Sequence, residues 1–98
     1  MYGTVARMRP KAGQGKALLA LMDEWRQTRK KKIKGAVASY IYRLDRDPGQ
    51  LVMAVAFQDK KSYRANAEDP EQDKWYRRLR EHLQADPVWE DGEIIAVD

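Results

Sequence analysis

Cysteine is absent from this chain, and histidine occurs once among its 98 residues. Without cysteine the protein has no disulfides, no thiolate metal ligands and no cysteine nucleophile. A metal centre needs several ligands at matched spacing, which one histidine without cysteine does not supply. The composition therefore argues against a catalytic metal.

Long apolar runs are also missing. No segment approaches the roughly 20 apolar residues of a membrane span, and the N-terminus lacks the basic, apolar and small-residue succession of a signal peptide. Hydrophobic residues make up 43% and charged residues 35% of the chain, which is typical of a folded domain with a charged exterior. We expect a single domain over residues 1–98, cytoplasmic and without membrane contact.

The segment Leu51–Phe57 is the most informative one, because all seven of its residues are apolar. A strand of this kind is apolar on both faces, so leaving either face in water is unfavourable. A chain this short can cover one face with its own helices. We therefore expect the second face to contact another copy of the protein or a bound ligand.

Two further strands and a helix are predicted in the first half of the chain. Side chains alternate over 2–8 and 36–44 with the period of a strand. Apolar residues recur at helical spacing over 14–31, and Gly35 follows as a helix stop. Residues 45–50 have the composition of a hairpin connection, so the strands on either side of them are predicted to be antiparallel.

The second half of the chain predicts two helices and a strand. A short helix is predicted over 59–67, with its first residue as the N-cap. Asp69 caps the next helix, in which Gln72 occupies the return position of a capping box and which Pro87 ends. Residues 93–97 predict the last strand.

The resulting order, β-α-β-β-α-β, is the split βαβ of ferredoxin-like folds. This is an α+β architecture with an antiparallel sheet and both helical regions on one face. The other face of the sheet is then open. Because Leu51–Phe57 makes that face apolar, we expect two sheets to pack against each other in a homodimer.

Three segments carry a resemblance to a known family: the turn Pro10–Gly15, the strand end Phe57–Asp59 and the tail Asp86–Glu93. In these segments the chain resembles the antibiotic-biosynthesis-monooxygenase-like (ABM) family of dimeric α/β-barrel proteins, and the resemblance covers nearly the whole chain. It implies a dimeric α/β barrel with a small-molecule pocket between sheet and helices in each subunit. The activities that it implies are those of the family's characterised members: oxygenation of aromatic polyketides or quinols without metal or flavin, haem degradation, and isomerase or aldehyde-handling reactions.

The haem-degrading branch of that family uses an asparagine in the first strand and a haem-ligating histidine in the second main helix. This chain has no asparagine in its first strand, and the position nearest the ligating histidine is Trp75 or Tyr76. The difference argues against haem degradation.

Three residues are candidates for catalysis. Asn66 falls at a pocket position of the resembled family, where its amide could hydrogen-bond a substrate carbonyl or a developing oxyanion. His82 could act as a general base, or it could border the core beside Leu79 and Leu83. Arg7 could stabilise an enolate or an anionic substrate, or it could form an ion pair across the dimer.

Six aromatic residues are candidates for substrate binding, because their rings could enclose a flat ligand; they could equally fill the core. These residues are Tyr40, Tyr42, Phe57, Tyr63, Trp75 and Tyr76.

Basic residues crowd into the run Arg29–Lys34. They could bind nucleic acid or an acidic partner, or they could oppose the dipole at the C-terminal end of the first helix. No aromatic residue interleaves them, as single-strand binding requires. We therefore favour the helix-dipole interpretation and do not expect nucleic acid as a partner.

The sequence leads to one functional hypothesis and one alternative. The hypothesis is a cofactor-independent monooxygenase that acts on a small planar aromatic or quinol-like molecule. The alternative is a non-catalytic homodimeric protein of the same fold that binds a small ligand or is associated with stress.

Overall fold

The computed structural model describes all 98 residues, arranged as four strands and three helices. The strands are β1 (Tyr2–Met8), β2 (Ala36–Arg43), β3 (Leu51–Phe57) and β4 (Val88–Glu93), and the helices are α1 (Gly15–Thr28), α2 (Lys60–Ala67) and α3 (Pro70–Glu81). The strands form one antiparallel sheet in the order β2-β3-β1-β4. The predicted ferredoxin-like α+β fold is confirmed, with its second helical region divided into α2 and α3.

β1, one of the two inner strands, places alternate side chains on opposite faces of the sheet. Its register pairs Ala6 with Met53 of β3 and Met8 with Leu51. All four side chains are buried on the face that the helices cover. The helices complete this core with Leu18, Leu21, Met22 and Trp25 of α1, Trp75 and Leu79 of α3, and Leu83. The apolar periodicity of the sequence therefore corresponds to one core between the sheet and the helices.

The last strand lies earlier than predicted. The sequence placed it at 93–97, but β4 ends at Glu93, which pairs with Tyr2 at the start of β1. Beyond that pair β1 offers only Met1, whose carbonyl accepts a hydrogen bond from the Ile94 N–H at 2.9 Å. Residues 94–98 therefore have no neighbouring strand to pair with, and the Ile95 side chain is 90% exposed.

Two aspartates begin the later helices as predicted. Asp59 accepts a hydrogen bond from the Ser62 N–H at 2.7 Å, and this bond lowers the pKa of the Asp59 carboxyl. Asp69 accepts from the Glu71 N–H at 2.9 Å, with proline at the first helical position. The predicted capping box is wrong, because the side chain of Gln72 accepts a hydrogen bond from the Trp25 indole instead.

The first helix is shorter than predicted, since α1 ends at Thr28 and a single 3₁₀ turn follows at Lys30–Lys32. The helix-dipole interpretation had placed the lysines of the basic run in the last turn of α1, but they lie beyond it. Gly35 then reverses the chain with φ +83°. A Cβ at this position would lie 2.6 Å from the Ser62 Cβ, so both the backbone and the space favour glycine.

The face of the sheet opposite the helices, here called the open face, is only partly covered by the chain. Val52 lies between Tyr42 and Arg7 in the register and is 3% exposed. Val5 at the centre of the open face is 41% exposed and Tyr40 is 68% exposed. The predicted second apolar face is therefore present, and much of it is in contact with solvent.

None of the helices has both the length and the apolar character needed to cross a membrane.

Replacing Leu79 by alanine tests the core. Leu79 is 0% exposed, so Leu79→Ala is expected to lower the free energy of unfolding by about 2–5 kcal/mol, measured by urea denaturation. The matched control is Leu19→Ala, because Leu19 is 38% exposed and its truncation is expected to cost less than about 1 kcal/mol. Equal losses in the two variants would contradict the core described above.

Candidate functional site

A cavity of about 360 Å³ lies between the helix-covered face of the sheet and the three helices. Its volume is within the range of about 300–1,000 Å³ that is usual for small-molecule sites. The walls are mostly apolar and aromatic. The lining includes Thr4, Trp25, Arg26, Phe57, Tyr63, Asn66, Asp73, Trp75, Tyr76, Trp89 and Asp91.

Strand register and helix spacing bring the polar residues of this cavity together. Thr4 of β1 lies between Val55 of β3 and Asp91 of β4. Helix α2 runs over the same part of the sheet and presents Tyr63 and Asn66, which are three residues apart and therefore share one face of the helix. Four polar residues from three elements thus line one cavity.

The aromatic walls include all three tryptophans of the chain, Trp25, Trp75 and Trp89. The rings of Trp25 and Trp75 are 5.9 Å apart between centroids, and those of Tyr76 and Trp89 are 6.2 Å apart. Tilted ring pairs at these separations stabilise each other beyond their buried area. The walls are therefore well suited to a flat, apolar ligand.

Tyr63 donates a hydrogen bond from its hydroxyl to Asp91 Oδ1 at 2.8 Å. Partial burial, together with this hydrogen bond to a carboxylate, raises the pKa of Tyr63 to about 12. The Thr4 hydroxyl lies beside the phenol and acts to lower the pKa of Tyr63, although the two groups do not meet the geometry of a hydrogen bond. Tyr63 is consequently a neutral donor at physiological pH.

Three buried polar atoms of the cavity wall have no hydrogen-bond partner: Thr4 Oγ1, Asn66 Oδ1 and Trp75 Nε1. Leaving such a group unpaired costs about 1–3 kcal/mol. Together the three residues offer a hydroxyl, an amide and an indole N–H donor. Unpaired groups of this kind beside an open cavity mark a place where water or a ligand supplies the missing partners.

The structure brings five of the predicted site residues into the cavity and leaves two aromatic ones outside. Those in the cavity are Asn66, Phe57, Tyr63, Trp75 and Tyr76. Tyr40 and Tyr42 project from β2 onto the open face, because they alternate with Ile41, whose side chain faces the helices.

Two of the predicted catalytic residues also lie away from the cavity. His82 is the C-cap of α3, and its Nδ1 is 2.7 Å from Gln14 Oε1. Arg7 alternates with Ala6 and Met8 along β1, so its side chain is on the open face, where it forms no ion pair within the chain. Neither residue contacts a ligand held in this cavity.

Sequence reasoning missed several residues of the site, among them Thr4 of β1 and Trp25 of α1; it also missed Trp89 and Asp91. Both belong to β4, which the sequence placed five residues too late. Pairing of Val88–Glu93 with β1 puts Trp89 and Asp91 on the helix-covered face by simple alternation. Alternation along β4 would therefore have identified both residues, provided that the bounds of the strand were predicted correctly.

Among all residues of the chain, no group of three or more His, Cys, Asp or Glu side chains is placed to hold a metal ion.

Known proteins resemble this chain in structure. The sequence matches no protein-family profile and no curated protein. Rv0793 of Mycobacterium tuberculosis has a similar structure, with a TM-score of 0.81 at 18% identity over 98% of this chain and 96% of the other. A protein of Nitrosomonas europaea provisionally named an antibiotic biosynthesis monooxygenase has a TM-score of 0.80 at 16% identity, over 98% of this chain and 100% of the other.

A further solved structure, of an antibiotic biosynthesis monooxygenase, has a TM-score of 0.77 at 16% identity over 98% of this chain and all of the other. The chain is thus an α+β protein of ferredoxin-like topology with a cavity between its sheet and its helices. More particularly, it has the ABM-like fold that the sequence resemblance predicted. Likeness at this level of identity establishes the fold and leaves the activity to be argued from the site.

Titration of Tyr63 tests the electrostatics of the cavity. A phenol whose folded-state pKa is about 12, above the unfolded value of about 10, stabilises the fold fully below about pH 10. This contribution is lost as the pH rises through about 12. Between these values the wild type is expected to lose more free energy of unfolding than Tyr63→Phe does, measured by urea denaturation at each pH. The control, Tyr40→Phe, removes an exposed phenol and is expected to follow the wild type, whereas parallel losses in wild type and Tyr63→Phe would refute the assignment.

Proposed function

We propose that this protein is a cofactor-independent monooxygenase that acts on a small planar aromatic or quinol-like molecule. The observation that carries the proposal is the set of three unpartnered polar atoms, on Thr4, Asn66 and Trp75, in the wall of an otherwise aromatic cavity. A flat ligand bearing oxygen substituents would fill the apolar volume and satisfy these groups. The ABM-like fold adds support, because several proteins with this fold are named as monooxygenases of antibiotic biosynthesis.

The chemistry needs no external reductant, because the substrate supplies the electrons. An activated methylene between two aromatic rings loses a proton, and the resulting carbanion adds molecular oxygen to give a hydroperoxide. Loss of water from the hydroperoxide leaves a carbonyl group where the methylene was. One oxygen atom therefore enters the product and the other leaves as water.

The cavity would accelerate this reaction by stabilising negative charge. As the proton leaves, charge accumulates on the oxygen substituent of the substrate, and a prearranged donor nearby lowers the barrier. The indole N–H of Trp75 lies unpaired at the cavity wall and is suited to that task. The Asn66 side chain also carries an NH2 donor, while its unpaired Oδ1 can accept a hydrogen bond from a substrate O–H. The aromatic rings around them exclude water, which strengthens each hydrogen bond.

The alternative function is binding of such a ligand without its transformation. The specific observation in its favour is that His82 and Arg7, two residues predicted to be catalytic, lie outside the cavity. The two functions share the cavity and differ in turnover, so one variant series can separate them.

Asn66→Ala is the test of the oxygenase role. With anthrone as the test substrate and oxygen consumption as the readout, kcat/KM is expected to fall by about 10²-fold, since one oxyanion-stabilising donor is removed. Arg64→Gln, an exposed position on the same helix, is the matched control and is expected to retain wild-type turnover.

Fluorescence of Trp25, Trp75 and Trp89 reports binding separately, because all three indoles line the cavity. Wild-type protein that binds anthrone without consuming oxygen would favour the ligand-binding alternative. Full turnover by Asn66→Ala would remove this residue from the mechanism.

We also propose that the open face forms a homodimer. Val5, Tyr40 and Val88 expose apolar surface there, and glycine and alanine residues beside them, such as Gly3 and Ala54, leave room for a second sheet to approach closely. A patch of this kind is unfavourable in water, and a twofold axis lets it cover itself.

Val5→Glu tests the dimer. A carboxylate at the centre of two packed sheets would be buried without a partner, so light scattering after size exclusion is expected to give twice the mass of the chain for the wild type and a single chain mass for the variant. Ala20→Glu, at an exposed position of α1, is the control and is expected to remain dimeric. A dimeric Val5→Glu, or a monomeric wild type, would contradict the proposal.

A further inference from the structure

Two carboxylates line the cavity, and they differ in how they are neutralised. Asp73 forms an ion pair with Arg77, with Oδ2 at 3.0 Å from Nε. Asp91 has no ion-pair partner in the chain, and its side chain has one hydrogen bond, from the Tyr63 hydroxyl to Oδ1. The second oxygen, Oδ2, therefore remains free to accept a proton or a hydrogen bond.

The other ionisable groups of the cavity are poor proton acceptors. Arg26 is a cation and is already paired with Asp23 at 3.1 Å. Tyr63 is held neutral, because burial and the bond to Asp91 raise its pKa to about 12. His82, which the sequence offered as a base, is at the end of α3 beside Gln14. Asp91 is thus the carboxylate of the cavity lining that has no cation paired with it, whereas Asp73 is paired with Arg77.

We propose that Asp91 is the catalytic base of this cavity, that Tyr63 positions its carboxylate, and that the ligand is a neutral aromatic molecule with an acidic O–H or C–H rather than an aromatic carboxylate. The proposal rests on the oxygenase function proposed above and names its base and its substrate class.

Asp91 takes one proton from the methylene, and the carbanion that remains adds oxygen. The proton then returns to the outer peroxide oxygen, which gives the hydroperoxide. The second methylene proton and hydroxide leave as water while the carbonyl forms, so Asp91 ends in its starting state. Tyr63 remains protonated throughout and holds one carboxylate oxygen, which directs the other toward the ligand.

The charge of the cavity sets the class of ligand. Asp91 contributes a negative charge that no cation offsets, and Arg26, the cation on the lining, is engaged by Asp23. Asp91 is exposed, so it lies where the cavity meets solvent. A second carboxylate bound beside it would be repelled, although less strongly than in a buried site because water screens the two charges. A neutral phenol or quinol avoids this repulsion and can donate its O–H to Asp91.

Calorimetry with a matched pair of probes tests the ligand class without turnover. At neutral pH the wild type is expected to bind naphthol at least about tenfold more tightly than naphthoate. Asp91→Asn removes the charge and keeps the shape, so this ratio is expected to shrink toward one. Asp86→Asn removes an exposed carboxylate elsewhere and is expected to keep the wild-type ratio. An unchanged ratio in Asp91→Asn would overturn the assignment of ligand class.

Anthrone oxidation tests the base. Asp91→Asn is expected to lower kcat by about 10²-fold or more with KM little changed, and Tyr63→Phe is expected to lower kcat by a smaller factor with KM also little changed. Added formate is expected to restore part of the activity of Asp91→Gly, which a purely structural role for Asp91 would not allow. Circular dichroism and urea denaturation confirm that each variant is folded.

The outcomes separate this inference from the function on which it rests. Wild-type turnover by Asp91→Asn would overturn the base while leaving the oxygenase proposal intact. A wild type that consumes no oxygen with anthrone would overturn the oxygenase proposal and the base, and the naphthol preference would still decide the ligand class. Loss of kcat in Asp91→Asn together with formate rescue of Asp91→Gly would support both.

Discussion

Pairing of β1 with β3 on one side and with β4 on the other is the constraint on which the rest of the structure depends. It fixes the two faces of the sheet, because side chains of an antiparallel strand alternate strictly. On one face Ala6 and Met8 contribute to the core, and Thr4 lies beside Asp91 in the cavity. A shift of one residue in the pairing of β1 with β3 would exchange the faces and disrupt the core, and a shift in the pairing with β4 would remove Trp89 and Asp91 from the cavity.

The cavity is lined by polar groups that the chain itself does not satisfy. Thr4, Asn66 and Trp75 each have a buried polar atom with no partner in the chain, so water or a ligand is needed to pair it. The surrounding aromatic rings fill space well but leave a volume of about 360 Å³ free. Unsatisfied polarity inside an apolar enclosure is the feature that distinguishes a binding site from a packing defect, because it specifies where a ligand must supply donors and acceptors.

The two faces of the sheet therefore have different roles. The helix-covered face holds the core and the ligand space, and the open face presents Val5 and Tyr40 to solvent or to a partner. The Tyr63–Asp91 hydrogen bond joins α2 to β4 across the cavity. Through this bond the chemistry of the site depends on the same edge strand that completes the sheet.

Much of the fold and part of the site follow from local sequence. The period-two pattern of β1, the apolar run of β3 and the aspartate caps of α2 and α3 determine those elements, because each acts over a few residues. Asn66 was identified as a site residue from the family resemblance and Tyr63 from its aromatic ring, and helical spacing places both on one side of α2. His82 and Arg7 were misplaced relative to the cavity, because residue type alone does not say which face a side chain occupies.

The sequence by itself determined the order of the elements, the apolar core of the central strands and the helix starts, since these rest on periodicity and capping. Only the tertiary structure decided where β4 lies, because its position is set by the pairing of Val88–Glu93 with β1. That pairing brings Asp91 opposite Thr4 and within 2.8 Å of the Tyr63 hydroxyl. Residues 28 positions apart meet in this way through strand register, which no local pattern encodes.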